Sequence, residues 1–263
     1  MRLSVTIISV ILAAGHTAGL NARNLPAQLP ETVSRGIVKS IIDGDTLVLQ
    51  NGSEVRLVGI QAPKLPLGRK NFPVWPLAPE SKGLLSKLTM EKPIKLRYGG
   101  RKIDRHRRLL AHLYLLDGRW IQGELLKAGM ARVYSFSDNR TRVPAMLKIE
   151  AAARAAKRGI WQNAYYRIRS NREAGRFIGT FQLIQGKVLK TAVVRKRAYL
   201  NFGQNWRNDF TITMSPRMMR RFWKKGPTIK SYEGKTVRVR GWLKRFNGPM
   251  IEATHPEQIE ILE

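Results

Sequence analysis

Turn dipeptides punctuate this chain at positions where the hydrophobic pattern has a period of two. Asp43-Gly44 and Asn51-Gly52 separate three short runs, 37–42, 46–49 and 55–60, and Asn247-Gly248 interrupts another pair far downstream. Asn-Gly and Asp-Gly readily adopt the positive φ angles of two-residue hairpin turns, so each flanking pair of runs is expected to lie antiparallel. The first three runs therefore read as a meander.

Five prolines follow, at 63, 66, 73, 76 and 79, and they keep that stretch out of regular pairing. Residues 80–90 then carry Leu84, Leu85 and Leu88 at helical spacing. Alternation resumes at 94–98 and 109–116. Two more helical stretches, 120–128 and 145–157, stop at Gly129 and Gly159. The order strand-strand-strand-helix-strand-strand-helix-helix suits a small five-stranded barrel with flanking helices over 35–165. Residues 23–34, with Pro26 and Pro30, and the polar, basic stretch 166–176 read as linkers. From 177 to 263 a second strand-rich block recurs, with about five strands and a helix opened by Pro216 between the third and fourth. The fold class is mainly β with helices (α+β): an OB-fold barrel followed by a second, OB-fold-like barrel.

Residues 1–22 read as a signal peptide. Arg2 precedes an apolar run from Leu3 to Ala14, shorter than the ~20 residues that span a bilayer, and small residues follow. The expected location is therefore periplasmic or extracellular, with no stable membrane insertion after cleavage. The chain has no cysteine, which excludes disulfides and thiolate-based metal sites. It has 48 Lys and Arg against 18 Asp and Glu, a formal charge of +30. Such an excess repels itself in a compact fold, and a polyanion relieves it; binding phosphates also releases condensed counterions. DNA or RNA is the expected partner, and an anionic cell-envelope surface is the alternative.

The first block resembles the staphylococcal nuclease (thermonuclease) family. The resemblance rests on Ile42-Asp43-Gly44-Asp45-Thr46, on Val55-Arg56-Leu57 with Gly59-Ile60-Gln61-Ala62-Pro63, and on Ala78-Pro79-Glu80. It continues through Asp104-Arg105-His106-Arg107-Arg108, Leu116-Asp117-Gly118, Ala131-Arg132-Val133-Tyr134, Glu150-Ala151 and Gly159-Ile160-Trp161. The resemblance implies a staphylococcal-nuclease-type OB barrel and a site for phosphodiester hydrolysis. In that family two aspartates and a carbonyl hold calcium, a glutamate activates water, and two arginines stabilise the phosphorane.

Carried across, the metal aspartate is Asp45, the carbonyl belongs to Ala62, and the arginines are Arg56 and Arg108. The second aspartate position holds Gln61 and the general-base position holds Lys64. A hard cation draws most of its affinity from anionic oxygens, and a cation beside it is repelled. Calcium is the cofactor if the site hydrolyses; none is otherwise expected. Three readings remain open. The site grips phosphate through Lys64, Arg56 and Arg108; or it is an active endonuclease with substitute carboxylates such as Asp43 and Glu80; or the arginines make structural ion pairs.

Arg69, Lys70, Arg101, Arg105 and Arg107 are expected to border the site and track phosphates, and His106 sits among them. In the second block, Tyr199 and Trp206 are the expected base-stacking residues, interleaved with arginines and lysines. The functional expectation is an exported nucleic-acid-binding protein of the thermonuclease type with impaired calcium-dependent hydrolysis. An active secreted endonuclease and a non-enzymatic polyanion-binding envelope protein are the alternatives.

Overall fold

A computed structural model describes residues 33–223 and 228–262 of the 263-residue chain. The segments read as signal peptide (1–22) and most of the first linker lie outside these residues. So do Lys224 and Lys225, the end of the helix expected from Pro216.

The first domain contains β1 (Val33–Asp43), β2 (Thr46–Leu49), β3 (Glu54–Leu57), β4 (Ile60–Gln61), α1 (Ala78–Thr89), β5 (Pro93–Arg97), β6 (Leu109–Leu115), α2 (Ile121–Lys127), β7 (Arg132–Val133) and α3 (Val143–Ala155). Its barrel closes in the order β1-β2-β3-β6-β5. All neighbours are antiparallel except β3 and β6, which run parallel with Arg56 opposite Leu110. The inward residues of the alternating strands, among them Val38, Leu47, Val55, Leu57, Ile94, Leu96 and Leu113, are fully buried against Leu85 of α1 and Leu125 of α2. Pro79 and Pro144 occupy the first turns of α1 and α3, where a missing N–H costs nothing.

The second domain contains β8 (Arg169–Ser170), β9 (Phe181–Lys187), β10 (Lys190–Val194), β11 (Arg197–Asn201), β12 (Thr211–Met214), a helical turn at Pro216–Met218 that continues as a π-helical segment over Met219–Trp223, β13 (Thr236–Trp242), β14 (Lys244–Phe246), β15 (Gly248–Glu252) and β16 (Ile259–Leu262). Its strands do not close one continuous ring, as the sequence suggests. They form a five-stranded sheet, β10-β11-β12-β15-β14, and a four-stranded sheet, β16-β13-β9-β8. The barrel logic survives in the connections. β12 pairs parallel with β15, as β3 does with β6, and β9 pairs antiparallel with β13. The chain passes from one sheet to the other at Val188–Leu189 and again at Leu243, so two interrupted strands link the sheets.

The stretch 166–176 is also not an open linker. Residues Asn171–Phe177 form a 3-10 helix with a capping box between Ser170 and Glu173. Tyr166 is buried and donates from its hydroxyl to the Pro76 carbonyl at 2.8 Å.

The two domains share a buried polar seam. Glu150 of α3, fully buried, receives both guanidinium nitrogens of Arg240 on β13 at 3.1 and 2.7 Å. Arg240 also donates to Glu260 at 2.6 Å and to the Val133 carbonyl at 3.3 Å. Around this core, Trp242 donates to the Tyr134 hydroxyl, Ser135 meets His255, and Arg140 grips Glu257 with a bidentate fork. A charge taken from water needs such a partner, since an unpaired buried ion costs several kcal/mol.

Candidate functional site

The tight turn joining β1 to β2 brings Asp43 and Asp45 beneath the segment that leaves β4. Asp43 accepts the Asp45 N–H at 3.0 Å, which fixes the turn. Gly44 is required there: a Cβ would collide with the Ser81 hydroxyl and with Ala62. The Asp45 carboxylate is fully buried. One oxygen receives Arg56 at 2.8 Å, Lys64 at 2.7 Å and the Thr46 hydroxyl at 3.2 Å. The other receives the Ala62 N–H at 2.7 Å and Lys64 at 2.8 Å. A carboxylate offers about four lone-pair directions, and these contacts use them. Lys64 also reaches Asp43 at 3.0 Å.

The ammonium of Lys64 thus lies between two carboxylates. Burial opposes ionisation of Asp45, but Arg56 and Lys64 outweigh it and hold the group well below the usual carboxylate range. Burial and the neighbouring Asp45 raise Asp43, and Lys64 partly offsets them. The pair titrates as a unit.

Gln61 faces away from this cluster. Its side-chain oxygen accepts from Arg132 at 3.0 and 2.7 Å. Arg132 is itself buried, sits 4.7 Å over the Phe181 ring, and burial pushes it down to about 10. Among the described residues no three or more His, Asp or Glu side chains are grouped to hold a metal. The residues present therefore do not fit a calcium ion. One aspartate is saturated by cations, the second aspartate position carries an amide turned elsewhere, and an ammonium sits against the carboxylates that remain.

Beside this cluster opens a cleft of about 470 Å³. Its wall carries Arg56, Arg101, Arg105 and Arg108, together with His106, Tyr134, Phe136 and Asn139, and two aspartates, Asp104 and Asp138. Arg56 is held rigidly, since it also donates to the carbonyls of Asp45, Leu57 and Ile60 at 3.1, 3.2 and 2.7 Å. Arg108 is partly exposed and forks onto Asp104 at 2.9 and 2.8 Å. Asp104 in turn accepts the backbone N–H groups of His106 and Arg108, which organises the arginine-rich loop. Asn139 donates to the Arg101 carbonyl at 2.8 Å and ties that loop to the segment after β7. Such a cleft offers forked donors to phosphate oxygens and aromatic edges to a base or sugar.

The sequence-derived candidates divide accordingly. Arg56, Arg101, Arg105 and Arg108 converge on the cleft. His106 lines it too, exposed, with its ring nitrogen accepting from Arg105 at 3.0 Å. Lys64 faces inward onto Asp43 and Asp45, so its charge is neutralised and does not line the cleft. Arg107 is exposed outside the lining. Arg69 turns back on the Leu65 and Pro66 carbonyls and over the Phe72 ring, and Lys70 is exposed beside it. Glu80, a candidate substitute carboxylate, is exposed in the first turn of α1. Tyr134 and Phe136 are cleft residues that the charge pattern did not single out. The signal available for them was the pair of aromatics directly after β7.

Tyr199 and Trp206 lie apart from this cleft, in a second concavity of about 390 Å³ on the second domain. Among the described residues no helix is long and apolar enough to cross a membrane.

A family model described as "Staphylococcal nuclease homologue" matches residues 54–163. An "Uncharacterized endonuclease" of Escherichia coli is 29% identical over 132 residues, 49% of this chain and 78% of that protein. The "Thermonuclease" of Staphylococcus intermedius is 26% identical over 129 residues, 48% of this chain and 75% of that protein. "Endonuclease YncB" of Bacillus subtilis (strain 168) is 32% identical over 130 residues, 48% of this chain and 60% of that protein. The family model covers the first domain from β3 through α3, cleft residues included, and the relatives each match about half of the chain, so the first domain is a staphylococcal-nuclease-like domain.

Proposed function

We propose that this chain is an exported nucleic-acid-binding protein of the thermonuclease type in which calcium-dependent phosphodiester hydrolysis is impaired. The observation that carries the reading is the placement of Lys64: its ammonium bridges Asp43 and Asp45 at 2.7–3.0 Å. A resident cation bridging Asp43 and Asp45 offsets the charge a divalent ion would seek, and the contacts on Asp45 take up its lone pairs. It also leaves the general-base position without a carboxylate to accept a proton from water. The arginine-lined cleft and the net charge of +30 support binding through phosphates. The N-terminal apolar run supports export.

The test is incubation with long single-stranded DNA and calcium, with and without a chelator, alongside a binding titration. The expected result is retention of the strand, no chelator-sensitive cleavage, and an affinity that falls steeply with salt. Chelator-sensitive cleavage that disappears in Arg108→Ala contradicts the reading and makes the chain an active endonuclease. Binding to lipopolysaccharide without binding to nucleic acid makes it an envelope polyanion-binding protein.

A further inference from the structure

We infer that the outer face of the sheet β10-β11-β12-β15-β14 is a second nucleic-acid site, which seats an unpaired nucleobase. The inference rests on the reading of the chain as a nucleic-acid binder and adds the class of strand it selects. Strand alternation separates the two faces of this sheet. Ala198, Leu200, Ile212, Met214 and Ile251 point into the core and are fully buried. The opposite face, where Thr213 is buried, opens around Tyr199 and Asn201 into the 390 Å³ concavity, near the lower end of the range for small-ligand sites.

Tyr199, Trp206, Phe246 and Val194 supply its apolar walls, and Asn201 and Thr211, bonded to each other at 3.2 Å, supply a polar floor. Trp206 is 55% exposed and Phe246 63%. Among the described residues neither stacks on another aromatic ring, and neither does Tyr199. Three uncommitted rings around one concavity form a surface that gains by taking a flat aromatic guest.

The rim selects among guests. Lys190 lines the edge, Lys244 stands two residues before Phe246 on the same face of β14, and the Arg207 guanidinium lies 5.3 Å from the Trp206 ring. An apolar partner would leave Lys190 and Arg207 unanswered, while Lys244 already has Glu252 at 3.9 Å. A single strand answers both features, with its base among the rings and its phosphates along the lysines and arginines. A duplex keeps its bases stacked and presents phosphates alone.

The test uses the full chain in chelator at fixed salt. It measures affinity for a labelled single strand, for an abasic strand of the same length and charge, and for the corresponding duplex. The base-bearing strand is expected to bind about tenfold more tightly than the abasic one. Trp206→Ala and Phe246→Ala, both at exposed positions, are expected to remove most of that advantage while leaving the salt slope unchanged. Trp206→Phe is expected to restore it. Equal affinity for base-bearing and abasic strands, unaltered by Trp206→Ala, overturns the inference and leaves the phosphate-binding cleft standing. Failure of every strand to bind overturns both. A change in oligomeric state with Trp206→Ala, at unchanged strand affinity, overturns the inference by making this face an interface between copies.

Discussion

Replacing Lys64 by Met would leave the Asp45 carboxylate fully buried with Arg56 as its remaining cationic partner and Asp43 with none close by. Removing one partner of a buried ion pair typically costs about 3–5 kcal/mol. Lys64 retains some solvent contact, so a loss of about 2–3 kcal/mol is expected, read as a lower denaturant midpoint at unchanged slope. Gln61→Asp has the opposite expected effect. Its oxygen already accepts from the charged Arg132 at 2.7 Å, and a carboxylate that reaches the guanidinium from there pairs with it as an ion, so stability should rise by at most about 1 kcal/mol, read as a higher denaturant midpoint. Residue identities at the site were legible in the sequence: an amide and an ammonium stand where the family carries acids. Their directions were not. The letter of Lys64 gives the sign of its charge. That this charge turns inward depends on the fold placing the end of β4 over the Asp43–Asp45 turn.

Elements of the first domain were legible because their signals are local. The Asp-Gly and Asn-Gly turns, the leucines at helical spacing and the glycines after the helical stretches all act within a few residues. The second domain was less legible. The breaks at Val188–Leu189 and Leu243 arise from how two sheets pack, which no window of sequence contains, and the 3-10 turn at 171–177 has no helical stripe long enough to register. Strand β6 carries a consequence for pH. Burial, with Arg142 nearby, pushes His112 down from 6.5 to about 3, and burial pushes His255 at the domain seam down to about 4. Both are neutral in the folded protein at pH values where the unfolded chain is protonated. Their contribution is therefore complete above pH 6.5 and is lost as pH falls from there toward their folded values. Stability should decline by at most about 1.4 kcal/mol per pH unit for each histidine. Denaturant midpoints measured between pH 7 and about pH 4 in native protein and His112→Gln check this, the variant showing the shallower decline.

At the scale of the whole molecule, the seam through Glu150, Arg240 and Glu260 ties the two domains together, and the chain is expected to unfold in one transition. Arg240→Met leaves Glu150 buried without its main cation and is expected to destabilise by about 3–5 kcal/mol, separating one unfolding transition into two. Adding Glu150→Gln, which retains an acceptor for the Val133 N–H, should recover most of the loss. This seam also fastens the segment that presents Tyr134 and Phe136 to the cleft, so the second domain helps to shape the site of the first.

The account turns on the tethered ammonium taking the place of a metal, and calorimetric titration of calcium into the native protein and into Lys64→Glu tests it most directly. The native protein is expected to give no saturable heat. The variant sets a third carboxylate against Asp43 and Asp45 and should bind calcium saturably, with a melting temperature that rises as the ion is added. Saturable calcium binding by the native protein, with no gain in the variant, would contradict it.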